Sequence, residues 1–175
     1  MTIDRAELNA WLQQVGHRES RTVENLIEHV FLSEVIQECF FRQRRLVEVA
    51  RAEVDAAGYD LILGLDGVVR HVQLKASRRG GSTRKQTINR KLADRQGGCI
   101  VWIEYSVDPT SCRADLSYLW REAAKLPATV ARNTRTGAPR VNSCDIKRSE
   151  FERLPDVSSL VDRLFPVPRT RKVVK

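Results

Sequence analysis

The chain has 175 residues and a mass of 20.0 kDa, which suits one domain with a sizeable hydrophobic core. Its formal net charge of +8 favours a polyanionic partner, with nucleic acid ahead of a membrane surface. The aromatic residues are few and form no repeat, which argues against a platform that stacks single-stranded bases.

The four cysteines lie far apart and form no CxxC pair, which argues against a zinc ribbon or a redox pair. The start of the chain has no signal-peptide pattern, and no apolar run approaches the length of a membrane span. We therefore expect a cytoplasmic protein with reduced thiols.

The first half of the chain predicts two helices followed by three strands. Residues 4–15 and 22–44 carry apolar side chains at helical spacing. Residues 46–54 are predicted to form a strand that leads into two alternating segments, 59–65 and 68–76, and the alternative is that part of 46–54 prolongs the helix. Asp66-Gly67 joins these two segments and is a strong hairpin signal.

The second half predicts a further mixture of helices and strands. Residues 99–105 form a continuous apolar run typical of a central strand. Helices are predicted over residues 83–95, 116–125 and 158–165, and an irregular excursion or hairpin over residues 128–142. Residues 1–165 are expected to form one domain, and residues 166–175 a basic, disordered tail.

The hairpin carries the most informative set of polar residues. A two-residue turn places Leu65 opposite Val68, and counting outward places Asp60 opposite Gln73. Lys75 projects from the same face as Gln73, while the opposite face is mainly Leu and Val. Asp is a poor strand former, so its position here indicates a specific role.

Asp60 followed by Gln73-Leu74-Lys75 resembles the signature of the PD-(D/E)XK nuclease superfamily, in the variant with Gln at the second acidic position. The resemblance implies a restriction-endonuclease-like α/β fold, with a mixed sheet flanked by helices in three layers. It also implies an Mg²⁺ or Mn²⁺ site at Asp60 and Gln73, with Lys75 beside the attacking water. Two departures weaken the match. Tyr59 precedes Asp60 where the signature has Pro, and Gln73 adds no negative charge to the site.

A carboxylate from the long helix is the expected additional ligand. Glu34 projects within the apolar sector, where a charge must be paired or coordinated. Glu28 is the competitor, because Ile27-Glu28 is similar to the Phe-Glu of Mrr-like enzymes. We favour Glu34 and keep Glu28 open, whereas Asp55 before the hairpin is expected to cap or turn the chain.

A basic segment follows the motif and is the candidate phosphate-binding region. The turn around Gly80-Gly81 and the predicted helix after it would present amides and cations to a phosphate. The candidate nucleic-acid-binding residues are Arg78, Arg79, Arg84, Lys85, Gln86, Asn89 and Arg90.

The sequence therefore predicts a metal-dependent nuclease, with DNA expected ahead of RNA as its substrate. The alternative is a catalytically inactive nucleic-acid-binding or interaction subunit with the same fold, which the Gln73 exchange would permit. Whether the chain forms a homodimer stays open.

Overall fold

The computed structural model describes residues 4–53, 57–133 and 135–166. Its α-helices are α1 (Arg5–Arg18), α2 (Ser20–Gln37) and α3 (Val157–Leu164), and a π-helical turn, Glu38–Arg42, extends α2. Three short 3₁₀ helices cover Arg90–Asp94, Ala123–Lys125 and Arg148–Glu150. The strands are β1 (Glu48–Arg51), β2 (Leu61–Leu65), β3 (Val68–Arg78), β4 (Lys85–Asn89), β5 (Gly98–Asp108), β6 (Arg113–Glu122), β7 (Ala131–Arg132), β8 (Pro139–Arg140), β9 (Ser143–Lys147) and β10 (Glu152–Leu154).

A six-stranded mixed sheet in the order β1-β2-β3-β5-β6-β10 forms the centre of the molecule. Only the β3–β5 pair is parallel among these strands. The predicted hairpin register is confirmed, since Leu65 pairs with Val68 and Leu61 with Val72. Asp66 and Gly67 both have positive φ, at 47° and 81°, as a two-residue hairpin turn requires.

One face of the sheet is covered by α2 and α3. Ile27, Phe31 and Val35 of α2 pack with inward side chains of β2, β3 and β5 and with Leu160 of α3 in one buried cluster. These side chains recur on one side of α2, as the apolar spacing predicted. This packing fixes α2 against the β3 strand.

The other face is covered by the β4–β9 ribbon and the short 3₁₀ segments. Ile88 of β4 and Ile146 of β9 are fully buried against Ile100 and Trp102 of β5. The predicted three-layer α/β core, with a mixed sheet, is therefore confirmed. The third layer is built mainly from a ribbon rather than from α-helices.

Two predicted helices are wrong. Residues 83–95 form β4 and a 3₁₀ helix, because β4 pairs along its whole length with β9 and buries Ile88. Residues 116–125 lie mostly in β6, which pairs with β5 over ten residues of each strand. In both cases a partner remote in sequence overrides a weak local preference.

The remaining helices and the central strand agree with the sequence. The residues predicted at 4–15, 22–44, 99–105 and 158–165 fall largely in α1, α2 with its π turn, β5 and α3. β7 and β8 form the hairpin that was one of two predictions for residues 128–142. Apart from Pro166, the predicted tail lies outside the described residues, as does Asp55. Within the described ranges, no helix has the length and apolar character that a membrane crossing needs.

Candidate active site at the open edge of β3

The candidate site lies where strand β3 outruns its hairpin partner. β2 pairs with β3 only from Val68 to Val72, whereas β5 continues along β3 to Arg78. On the β2 side, the second half of β3 therefore has no strand partner among the described residues. Helix α2 packs beside this open edge, so side chains from the edge and the helix converge.

Asp60 is anchored at this edge. It stands one residue before β2, and its backbone N–H donates to the Val72 carbonyl at 2.9 Å. Its carboxylate Oδ2 accepts a 2.7 Å hydrogen bond from the Leu74 N–H. Asp60 thus satisfies a backbone donor that the short β2 strand leaves exposed, which is a structural reason for an Asp in this run.

A cavity of about 370 Å³ opens beside Asp60. Its apolar lining comes from Ile27, Leu74, Ala76 and Ile103. Its polar lining comprises Arg21, Glu24, Asn25, Glu28, Asp60, Lys75 and Gln86. Three carboxylates and two cations therefore face one small space, and the predicted residues Asp60, Lys75 and Glu28 are brought together.

Glu28 already has a cationic partner. Its Oε1 lies 3.0 Å from Nη2 of Arg51, a residue of β1. The same Arg51 nitrogen lies 3.2 Å from Nδ1 of His29. The cavity side of α2 is thus joined to the first strand of the sheet through this arginine.

Gln73 does not line the cavity with Asp60 and Lys75. The residue is 4% exposed, and its Oε1 accepts a 3.1 Å hydrogen bond from the Asn89 N–H. Because β4 covers this face of the sheet, the Gln73 amide connects β3 to β4. The amide oxygen expected to be a neutral metal ligand is therefore engaged by the backbone.

Glu34 is also placed away from Asp60. It lies six residues beyond Glu28, roughly 9 Å further along the helix axis, and lines a different cavity. Its Oε2 accepts a hydrogen bond from the Tyr118 hydroxyl. Burial raises the pKa of Glu34, the Tyr118 hydrogen bond opposes that shift, and Asp115 adds to it. The expectation that Glu34 must be paired is confirmed, but its partner is a tyrosine, and the structure does not bring it to the candidate metal site.

Most of the predicted phosphate-binding residues have protein partners. Arg78 donates to Asn9 Oδ1 at 2.8 Å, Arg79 pairs with Asp115 at 2.6 Å, and Lys85 pairs with Asp145 at 2.5 Å. All three distances are within hydrogen-bonding range.

Of the remaining predicted residues, only Gln86 reaches the cavity. Arg84 donates to the Gly81 carbonyl at 3.2 Å. Asn89 caps the first 3₁₀ helix by accepting from the Lys91 N–H, and the Arg90 N–H donates to the Asn142 carbonyl. Because residues 83–95 form no α-helix, the predicted anion site at a helix start is absent here.

Sequence reasoning missed three polar residues of the cavity, Arg21, Glu24 and Asn25. They precede Glu28 by seven, four and three positions, so all four lie on one side of α2. Their i, i+3, i+4 and i+7 spacing with Glu28 is the sequence signal that identifies these neighbours.

The donor types in the cavity suit a hard divalent cation. Asp60, Glu28 and Glu24 offer carboxylate oxygens, and Mg²⁺ is bound in proteins by one or two carboxylates together with waters. Among the described residues, no group of three or more His, Cys, Asp or Glu side chains has a geometry that could hold a metal ion. Any ion here would need water or substrate oxygens to complete its coordination. No known protein family, curated protein or solved structure matches this chain.

Proposed function

We propose that the protein is a metal-dependent nuclease that hydrolyses phosphodiester bonds, with DNA as its substrate and the β3-edge cavity as its active site. The observation that carries this proposal is the convergence of Asp60, Glu28 and Lys75 on one cavity. The positive net charge of the chain supports a polyanionic substrate.

Each residue has a role that its chemistry allows. Asp60 and Glu28 would hold Mg²⁺ or Mn²⁺, which supplies charge stabilisation at the phosphate and lowers the pKa of a bound water. Lys75 would orient that water and offset the negative charge that develops on the phosphate in the transition state. Gln86 would contact substrate from the β4 side of the cavity.

The first test is cleavage of supercoiled plasmid with Mg²⁺ or Mn²⁺ by the wild type and by Lys75→Ala. We expect cleavage that EDTA abolishes, and a rate about 10²- to 10³-fold lower for the variant, since a preorganised charge is lost. Lys125→Ala removes an exposed lysine elsewhere and should cleave at the wild-type rate. Equal rates for Lys75→Ala and wild type would reject the role of Lys75.

A second candidate function is nucleic-acid binding without catalysis. The Gln73–Asn89 hydrogen bond and the Glu28–Arg51 ion pair favour it, because both occupy groups that a metal site would use. Titration calorimetry separates the two functions. Heat from DNA but none from Mg²⁺, with no plasmid cleavage, would support the binding protein and reject the nuclease.

A further inference from the structure

A second concave surface lies over the third layer of the fold and is strongly basic. It has a volume of about 730 Å³ and includes five cationic residues, Arg84, Lys85, Lys147, Arg148 and Arg153. We call these five residues and the surface between them the basic groove. Sequence reasoning identified only Arg84 and Lys85, because the other three follow much later in the chain.

Three of the five cations of the basic groove, Lys85, Arg148 and Arg153, are held in place by two carboxylates. Glu104 of β5 is 4% exposed, and its Oε2 accepts from Arg148 at 2.6 Å and from Arg153 at 3.1 Å. Although burial opposes ionisation, these two arginines lower the pKa of Glu104, so it remains a carboxylate at neutral pH. Asp145 pairs with Lys85.

These two carboxylates leave the basic groove with an excess of three positive charges. Among the described residues, Arg84 and Lys147 have no ion pair. The nearby acid Glu150 pairs instead with Arg121, which is outside the groove. A group of cations with this excess of positive charge favours a ligand with several negative charges.

The basic groove and the β3-edge cavity share strand β4. Lys85 lines the groove and Gln86 lines the cavity, and these are consecutive residues of β4 whose Cα atoms are about 3.8 Å apart. Their side chains project from opposite sides of the strand, so a chain of phosphates that reaches Gln86 would have to cross β4 to enter the groove. Leu119 and Phe151 form an apolar floor beneath the cations, so the charged groups project from a rigid base.

From this arrangement we infer that the basic groove binds backbone phosphates of a nucleic acid that passes across β4 to the cavity. Its cations would contact the phosphates that flank the one at Asp60. The inference rests on the proposed function for the identity of the ligand, but phosphate binding here requires no catalysis.

The test is binding of a fluorescein-labelled DNA duplex, measured by anisotropy in EDTA over a series of salt concentrations. The variant is Arg84→Gln with Lys147→Gln, which removes two exposed cations without breaking the Glu104 or Asp145 pairs. The matched control is Arg132→Gln with Lys125→Gln. In the control, Arg132 also donates to a glycine carbonyl, and the loss of charge is the same.

We expect the groove variant to bind roughly 60-fold more weakly at about 0.1 M salt, because each phosphate contact is worth a factor of about eight relative to 1 M salt. The slope of log K against log salt should become shallower by about 1.8, and the control should keep the wild-type slope. Arg84→Lys with Lys147→Arg should restore both. Equal affinity and slope for the groove variant and the control would overturn the inference.

Two further outcomes separate this inference from the proposed function. Suppose that the wild type binds the duplex in EDTA, that the groove variant shows the expected loss of affinity and salt dependence, and that no metal supports cleavage. The nuclease proposal then fails, and phosphate binding by the groove is supported. If the wild type cleaves DNA and the groove variant binds DNA like the control, phosphate binding by the groove is rejected and the nuclease proposal is supported. Binding of polyglutamate but not of DNA or RNA duplex would overturn the groove as a nucleic-acid site.

Discussion

Glu28 and Glu34 are two carboxylates on the same helix, and their surroundings differ sharply. Glu28 faces a cavity that it shares with Asp60 and Lys75, and it forms a solvent-accessible ion pair with Arg51. Glu34 is held by the buried Tyr118 hydroxyl, and burial raises its pKa. The two acids therefore differ through the strands that they face, since β1 supplies a cation to Glu28 and β6 supplies a hydroxyl to Glu34.

The largest expected effect comes from removing the charge of Asp60, which shares the cavity with Glu28 but not with Glu34. Asp60→Asn keeps an oxygen that can accept from the Leu74 N–H, so the local fold should persist. We expect plasmid cleavage to fall about 10²- to 10³-fold, because an electrostatic group at the reacting phosphate is lost. Wild-type cleavage by a folded Asp60→Asn protein would remove Asp60 from the proposed metal site.

The direct comparison is Glu28→Gln against Glu34→Gln, the same change on one helix. Glu28→Gln should lower cleavage at limiting Mg²⁺ by about 10- to 100-fold, with partial recovery when Mg²⁺ is raised, because it weakens metal binding. Glu34→Gln should leave the cleavage rate and its Mg²⁺ dependence unchanged. The reverse order of effects would restore the original preference for Glu34.

The hairpin could be derived from sequence because its determinants are local. Asp66-Gly67 sets the turn, and the register that follows brings Asp60 towards Leu74 and Lys75. The apolar run at β5 likewise identified a strand buried on both faces.

Contacts between remote segments could not be derived in the same way. Thr87 and Ile88 belong to a strand only because β9 pairs with them, and this pairing was invisible in the local pattern. The misassignment of β4 concealed the Asn89 N–H that occupies Gln73, and with it the change in the role of Gln73. The Tyr118 partner of Glu34 is hidden for the same reason, because the local pattern of residues 116–125 predicts a helix whereas Tyr118 lies in β6.

The role of the Tyr118 hydroxyl as the partner of Glu34 is tested by Tyr118→Phe. This change leaves Glu34 without its hydroxyl donor and keeps the ring packed against Phe31. We expect the free energy of unfolding in urea to fall by about 0.5–1.5 kcal/mol, the net contribution of one hydrogen bond, because Glu34 is half-buried and water can reach its carboxylate. Plasmid cleavage should not change. A loss of cleavage without a loss of stability would connect Glu34 to the chemistry after all.

The smallest expected effect is a difference in pH dependence between wild type and Glu34→Gln. The pKa of Glu34 lies above its ordinary value of 4.5 in the folded protein, mainly because of burial, so the folded state binds this proton more tightly than the unfolded chain. The stabilising contribution of this proton to the free energy of unfolding is therefore complete below pH 4.5 and is lost as pH rises through the folded-state pKa of Glu34. Urea unfolding at a series of pH values should show the stability of wild type falling relative to Glu34→Gln across that window. Glu104 and Asp145, whose pKa values are lowered, act in the opposite direction but are present in both proteins, so their effects cancel in the difference. A difference that does not change with pH would contradict the effect of burial on the pKa of Glu34 in the folded protein.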